Sequence, residues 1–298
     1  MIRRNKLTTN RKQYAVYWIV FAFMMIYVVL VLYPYVWAFL SSVSTDSYRE
    51  NAGKLLPSLV NGIDFSGFQR FFAYEIHTLD GQGVEYVYGF FDLVGNTLFL
   101  CVTRTTLSLA FPIMAAYCYT NYRFKGRQFF FFYGVVMTSV PIYGGMSFTY
   151  QWMYELNLYD TYIAVWFMAI APFANFLFYF AFFKGISWNY AEAAFIDGAG
   201  HFAVFFRVML PQLAGIIAVF FVNAFIGAWN DWMTNYLYLP SKPQVAYAIY
   251  LVQGEATRVS DYQMFYSAVM IGLIVPLIVF AIFSKKILST VYTGGLKG

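Results

Sequence analysis

The chain has 298 residues, of which 61% are hydrophobic, 23% aromatic and only 11% charged, with a formal net charge of +5. Soluble domains carry about 25% charged residues, so this composition excludes a water-solvated globule and makes the bilayer the expected medium. No basic and aromatic RNA-binding pattern accompanies the positive balance, so nucleic-acid binding is not indicated.

Apolar stretches of roughly 20 residues cross about 30 Å of hydrocarbon as helices. Six such stretches occur, over residues 14–40, 93–119, 128–150, 162–184, 212–232 and 264–284. Helices are required because lipid offers backbone N–H and C=O groups no partners, and the period-two alternation of barrel strands is absent. The first stretch follows Arg3, Arg4, Lys6, Arg11 and Lys12. It is too long for a secretory signal and no small-residue cleavage site follows, so a retained anchor is expected.

Basic residues accumulate on the cytoplasmic side of a membrane. Besides the five before the first stretch, Arg123, Lys125, Arg127, Lys184, Arg207, Lys285, Lys286 and Lys297 fall on the same face of a six-span arrangement, against Arg49, Lys54, Arg70, Lys242 and Arg258 on the other. Both termini and the loop over residues 185–211 are therefore expected in the cytoplasm. Residues 41–92, rich in Asp and Glu, are expected outside as a loop or small cap within a single transmembrane domain over 1–298.

Within the stretches, Pro112, Pro141, Pro172 and Pro276, with Gly144, Gly145 and Gly272, free backbone hydrogen bonds or permit close packing. They suit a moving path and equally suit ordinary membrane helices. The run from Pro141 to Met146 is the first choice for a gate, so Pro141, Tyr143, Gly144 and Gly145, with the polar Asn175 and Asn223, are the candidate path residues. Asn96 and Arg104 are also costly in lipid, and Arg104 is better explained by snorkelling or a structural bond than by ligand contact. Trp229, Asn230 and Asp231 near the end of the fifth stretch form either an aromatic belt or an outer rim that meets a binding partner, small molecule or protein.

The loop over 185–211 carries the most specific pattern. Ser187 can cap a helix through Ile196, Glu192 suits its dipole, and Gly198 or Gly200 can end it in the left-handed conformation. A second short helix from His201 to Leu210 then leads to Pro211 at the start of the fifth stretch. The small Ala193, Ala194 and Gly198, with charged Glu192 and Asp197, suit a projecting elbow that docks in a cleft of a soluble protein. Phe195, Phe202, Phe205 and Phe206 equally suit a helix lying on the membrane surface.

Catalytic patterns are missing. No phosphate-cradling loop ending in Gly-Lys-Ser or Gly-Lys-Thr occurs, so the chain is not expected to hold ATP. His77 and His201 fall in opposite compartments, which precludes a shared metal site. Cys101 and Cys118, 17 positions apart on one helix, lie about 25 Å apart along its axis and are expected as packing thiols. No Ser, His and Asp grouping or close carboxylate pair is seen, so the chain is not expected to be a hydrolytic enzyme.

Glu192-Ala193-Ala194, Gly198 and Val208-Met209-Leu210-Pro211 resemble the Glu-Ala-Ala loop of bacterial ATP-binding-cassette importer permeases, with Val208 where Ile is commoner. Asn96-Thr97-Leu98, the run Tyr122 to Arg127, Trp229-Asn230-Asp231 and the run Thr293 to Gly298 look like the maltose-type carbohydrate subfamily. The resemblance implies an all-α polytopic fold of six transmembrane helices in the type I importer (MetI-like) architecture, in a bacterial cell membrane. It implies a second permease, two copies of an ATPase holding ATP and Mg, and an extracytoplasmic solute-binding protein. It implies no cofactor in this chain, and ATPase coupling through Glu192, Ala193, Ala194, Asp197, Gly198, Val208, Leu210 and Pro211. A carbohydrate is the expected solute, with most sugar contacts on the other permease. The segment Pro240 to Asp261 resembles in position a loop that reaches into the binding protein. Alternatives are uptake of another solute such as glycerol-phosphate, an ion-coupled carrier, or a structural or sensory membrane protein. A lone carrier would need buried acidic sites, and only Asp231 lies near a stretch.

Overall fold

The computed structural model describes residues 11–45, 54–79, 83–139, 145–171, 173–259 and 261–295. The chain divides into two compact units, Met1–Phe71 with Val252–Ile271, and Phe72–Leu251 with Gly272–Gly298.

In the first unit, α1 spans Arg11–Val43. Its residues 16–36 are all exposed, whereas Ser41, Ser42 and Val43 at its end are buried, so most of this helix presents its side chains to whatever surrounds the chain. The short α2 (Ser66–Phe72) begins beside Asp64, whose carboxylate accepts from the Ser66 hydroxyl at 2.5 Å and from the Ser66 backbone N–H at 2.9 Å. Those two bonds hold the Asp64 carboxyl below its usual range. Gly67 is needed for close approach, since a Cβ there would lie 2.6 Å from the Ser267 hydroxyl and 3.0 Å from the Gln263 carbonyl. Arg70 completes the contact, donating to Asp261 at 3.1 Å and Gln263 at 2.9 Å.

The second unit opens with an antiparallel hairpin, β1 (Ile76–Leu79) and β2 (Glu85–Tyr88), in register from Ile76 opposite Tyr88 to Leu79 opposite Glu85. His77 meets Glu85 across it at 2.9 Å. Neither α2 nor this hairpin was announced by apolar periodicity in the 41–92 segment.

The helices that follow are α3 (Phe90–Asn121), α4 (Arg127–Ser139), α5 (Gly145–Glu155), α6 (Tyr162–Ala169), α7 (Phe176–Gly185), α8 (Asn189–Ile196), α9 (His201–Gln212), α10 (Ala214–Trp229) and α11 (Trp232–Tyr238). Two more, α12 (Val245–Val259) and α13 (Tyr262–Gly295), run through residues of both units. At the start of α3 the Asp92 carboxylate accepts the Gly89 N–H at 3.1 Å, satisfying a donor that has no partner within the helix.

By length and apolarity, α1, α3 and α13 each suffice to cross a bilayer, over Val16–Val43, Phe90–Asn121 and Tyr262–Leu288. The expected stretch 162–184 is not one helix. It breaks over 170–175, where turn bonds from Ile170 to Phe167 and from Ala174 to Ala171 replace the helical ladder, and Asn175 takes φ 56°. Pro172, in that break, and Pro141, Tyr143 and Gly144 lie outside the described residues. Of the stretch 128–150, α4 and α5 are described, and residues 140–144 between them lie outside the described residues.

The core forms because α3 packs against α6, α7 and α10. Toward the end of α3, Leu109, Ile113, Ala116 and Tyr117 join Phe176, Tyr179 and Phe183 of α7 in one buried cluster. Toward its start, Leu100 joins Met153, Ala164, Val165, Tyr238 and Leu239 in a second.

Candidate functional site: the α8–α9 elbow and the cavities beside α11

The α8–α9 elbow is held from inside. Ala191 and Met209 are fully buried, with Val204 and Phe205 beside them, in the same cluster as the ends of α3 and α7. An alanine at 191 lets α8 lie close to that cluster, so the rigid seat of the elbow is apolar. The Tyr122 hydroxyl and His201 Nδ1, 2.8 Å apart, add a polar tie between the end of α3 and the start of α9.

Gly198 closes α8 in a Schellman arrangement: its N–H donates to the Phe195 carbonyl at 3.0 Å, and the Ala199 N–H donates to the Ala194 carbonyl at 2.9 Å. This geometry requires φ 83° at Gly198. A Cβ there would meet nothing within 4 Å, so backbone conformation alone selects glycine. Ser187 is not the N-cap. Trp188 holds that position, and the Ser187 hydroxyl only accepts a long bond from the Asn189 N–H at 3.4 Å.

The second helix of the elbow departs from simple α geometry. Val204–Met209 is a π-helical stretch, ended by a bond from the Leu210 N–H to the Phe205 carbonyl five residues back. Pro211 follows with no N–H to give, and the chain bends by 79° between His201–Gln212 and Ala214–Trp229. Such insertions re-aim side chains, and here they turn the elbow sharply into α10.

The expected coupling residues separate into two sets. Glu192, Ala193, Asp197 and Gly198 are exposed, with Tyr190, Ile196, Phe202 and Phe206 around them, and Pro211 is exposed as well. Ala194, Val208 and Leu210 instead lean on the buried cluster. These three are half-buried, so they brace the elbow against that cluster. Ala191 and Met209, which sequence reading passed over, are the principal anchors.

At the α10–α11 junction, Arg104 on α3 meets the Asp231 carboxylate at 2.6 Å. Asp231 also caps α11, accepting from the Thr234 N–H at 3.0 Å and from its hydroxyl at 2.5 Å. The expected structural bond for Arg104 is thus present: a cation costly in lipid is paired within the chain. Trp229 is corrected from the outer rim to the interior. It is 3% exposed, and its indole N–H donates to the Gly272 carbonyl at 2.9 Å. Asn230 is exposed, and its amide bonds back to the Ile226 carbonyl at 3.0 Å.

A further polar hub was not expected. Asn235, fully buried, donates to the carbonyls of Leu239 (2.6 Å) and Lys242 (3.0 Å) and accepts from the Gln244 N–H at 3.0 Å. The Asp160 carboxylate accepts from the Ser241 N–H at 3.2 Å, and Thr97 accepts from the Val245 N–H at 2.9 Å. The turn before α12 is therefore fixed from three sides. An Asn between aromatic residues of α11 was the available signal in the sequence.

Of the candidate path residues, Gly145 starts α5 and borders a cavity of about 770 Å³ that also reaches Asp231 and Thr234. Asn175, at the N-cap of α7, borders another of about 740 Å³ with Tyr133 and Phe178. Asn223 is exposed on α10. These three are not brought into one cavity. Among the described residues, no group of three or more His, Cys, Asp and Glu is placed to hold a metal ion.

Residues 108–290 match the model of the family described as binding-protein-dependent transport system inner membrane component. The arabinooligosaccharides transport system permease protein AraQ of Halalkalibacterium halodurans is 31% identical over 68% of this chain and 73% of its own length. The diacetylchitobiose uptake system permease protein NgcG of Streptomyces coelicolor is 25% identical over 92% of this chain and 86% of its own. Among solved structures, a chain of a bacterial ABC transporter involved in the import of the acidic polysaccharide alginate superposes with a TM-score of 0.71 at 22% identity, covering 93% of this chain and 98% of that one. A match of more than half the sequence, over α3 to α13 and including the elbow, shows that the chain belongs to the binding-protein-dependent transport system inner membrane component family, the permeases of ATP-binding-cassette importers.

Proposed function

We propose that this permease imports a carbohydrate, an oligosaccharide, and forms half of a translocation path completed by a second permease. Its solute arrives on an extracytoplasmic binding protein. The work is done by two copies of an ATPase that hold ATP and Mg, since the sequence has no phosphate-cradling loop of its own. Both termini and the α8–α9 elbow face the cytoplasm, as the distribution of Lys and Arg favours. The carbohydrate reading is supported by relatives that carry arabinooligosaccharides and diacetylchitobiose in their names.

The observation that carries the coupling role is the two-sided construction of the elbow. Its outer surface offers Glu192, Ala193, Asp197 and Gly198, while Ala191 and Met209 bind its inner side to α3 and α7. A push on the exposed surface is passed to the helices without an intervening flexible segment, which is what a motor outside the membrane needs. Pro141, Tyr143, Gly144, Gly145, Asn175 and Asn223 remain the path residues proposed from this chain. The elbow is tested in the reconstituted complex with Glu192→Lys combined with Gly198→Trp. ATP-driven uptake is expected to fall more than about tenfold and the ATPase to be lost on copurification. Uptake that survives both substitutions would count decisively against the assignment.

A further inference from the structure

Beside the α10–α11 break, Trp232 and Tyr250 lie face to face, with ring centroids 4.0 Å apart and planes within 7°. Tyr236 stands 6.4 Å from each of them and is 53% exposed. The three rings border an open cavity of about 450 Å³, lined elsewhere by Met146, Ser147 and Tyr150 among others. It shares Met146, Met233 and Leu237 with the larger cavity of about 770 Å³.

The lining selects a chemical class. Among the described residues it contains no ionised side chain, and the carboxylate in the adjoining cavity, Asp231, is already tied to Arg104. A charged solute would find no counter-charge there. A purely apolar one would leave the Ser147 and Tyr hydroxyls without a use. A neutral molecule with flat C–H faces and a rim of hydroxyls satisfies both parts, with faces for the rings and hydroxyls for the polar tips. The cavity volume is within the range of sites that enclose small ligands. A lipid-interface belt also uses Trp and Tyr, but belt rings need no shared cavity and no parallel stack.

We propose that Trp232, Tyr236 and Tyr250 form a stacking subsite for a neutral saccharide, so that this subunit takes part in solute selection and not only in coupling. The proposal rests on the carbohydrate reading above and adds the place where the sugar is met. Stacking on the Trp232–Tyr250 pair holds a sugar ring beside the large cavity, and Tyr236 sets how far a branch or substituent extends.

The test uses the whole reconstituted complex with its binding protein, and arabinotriose, maltotriose and diacetylchitobiose as probes. Uptake per ATP hydrolysed is measured for wild type, Trp232→Ala, Trp232→Phe and Tyr236→Ala. For the saccharide that wild type carries, Trp232→Ala is expected to lower uptake per ATP by between about two- and about tenfold, and Trp232→Phe to restore most of it. Tyr236→Ala is expected to change the ratio of rates between the probes, which a loss of folding alone would not do. Uptake and probe ratios unchanged in all three variants overturn the subsite while leaving the carbohydrate reading intact. Loss of the second permease on copurification with Trp232→Ala overturns it in favour of a subunit interface. A wild-type complex that carries none of the three probes sinks the carbohydrate reading, and the subsite with it.

Discussion

At Gly198 the constraint is purely one of backbone. The Schellman bonds from Gly198 and Ala199 need φ 83°, and the space around the missing Cβ is open. Gly198→Ala therefore costs about 1 kcal/mol through the left-handed conformation and nothing through packing. Amide hydrogen exchange is expected to show faster opening at Ala199 and little change at Tyr179, which is fully buried in the cluster beneath. Equal loss of protection at both would mean the glycine serves packing instead. The residue scale is also where sequence reading was most uneven. Gly198 was legible because one residue type satisfies one conformation, whereas Trp229 was not. A Trp near the end of an apolar stretch reads as interfacial, and only the Gly272 carbonyl placed 2.9 Å from its N–H makes it interior.

Among the elements, α3 does most to organise the second unit, and its half-buried ion pair shows how. Arg104 sits mid-helix, and Asp231 meets it from the break between α10 and α11 while capping α11 through Thr234. Removing one partner leaves the other charge unpaired, so Asp231→Ala is expected to destabilise by about 2–3 kcal/mol, below the cost of a fully buried pair because both side chains keep some exposure. Replacing both, with Arg104→Leu and Asp231→Leu, is expected to recover more than half of that loss in thermal unfolding of the complex. A double variant as unstable as the sum of the single ones would remove the pair from the account. Helix breaks belong to this scale too. The interruption over 170–175 and the π-helical stretch Val204–Met209 both depart from the α-helical bonding pattern. Hydropathy sums over a window and does not register either.

Over the whole molecule, two properties stand together: a long helix α1 exposed throughout residues 16–36, and an elbow bound tightly to α3 and α7. The first leaves an apolar surface for lipid to cover. The second is the lever of the proposed coupling. The proposed orientation puts the elbow and the β1–β2 hairpin on opposite sides of the bilayer. With Cys101 and Cys118 replaced by Ser, a membrane-impermeant maleimide is expected to label Glu85→Cys in intact spheroplasts and Tyr190→Cys only after permeabilisation. The reverse pattern would invert the topology and remove the cytoplasmic elbow.

Composition, apolar length and the Glu192 to Pro211 pattern were enough to determine solvent, helical class and family, because the bilayer penalises every unsatisfied backbone group and so leaves few architectures to choose from. What only the tertiary structure decided was which side chains face one another: Arg104 with Asp231, Asn235 with the turn before α12, Trp232 with Tyr250, Ala191 and Met209 beneath the elbow. These pairings join residues distant in sequence or fix which way a helix face is turned. In a chain rich in aromatic and aliphatic residues, many such pairings have nearly the same local preference, and it is packing density across helices that selects among them.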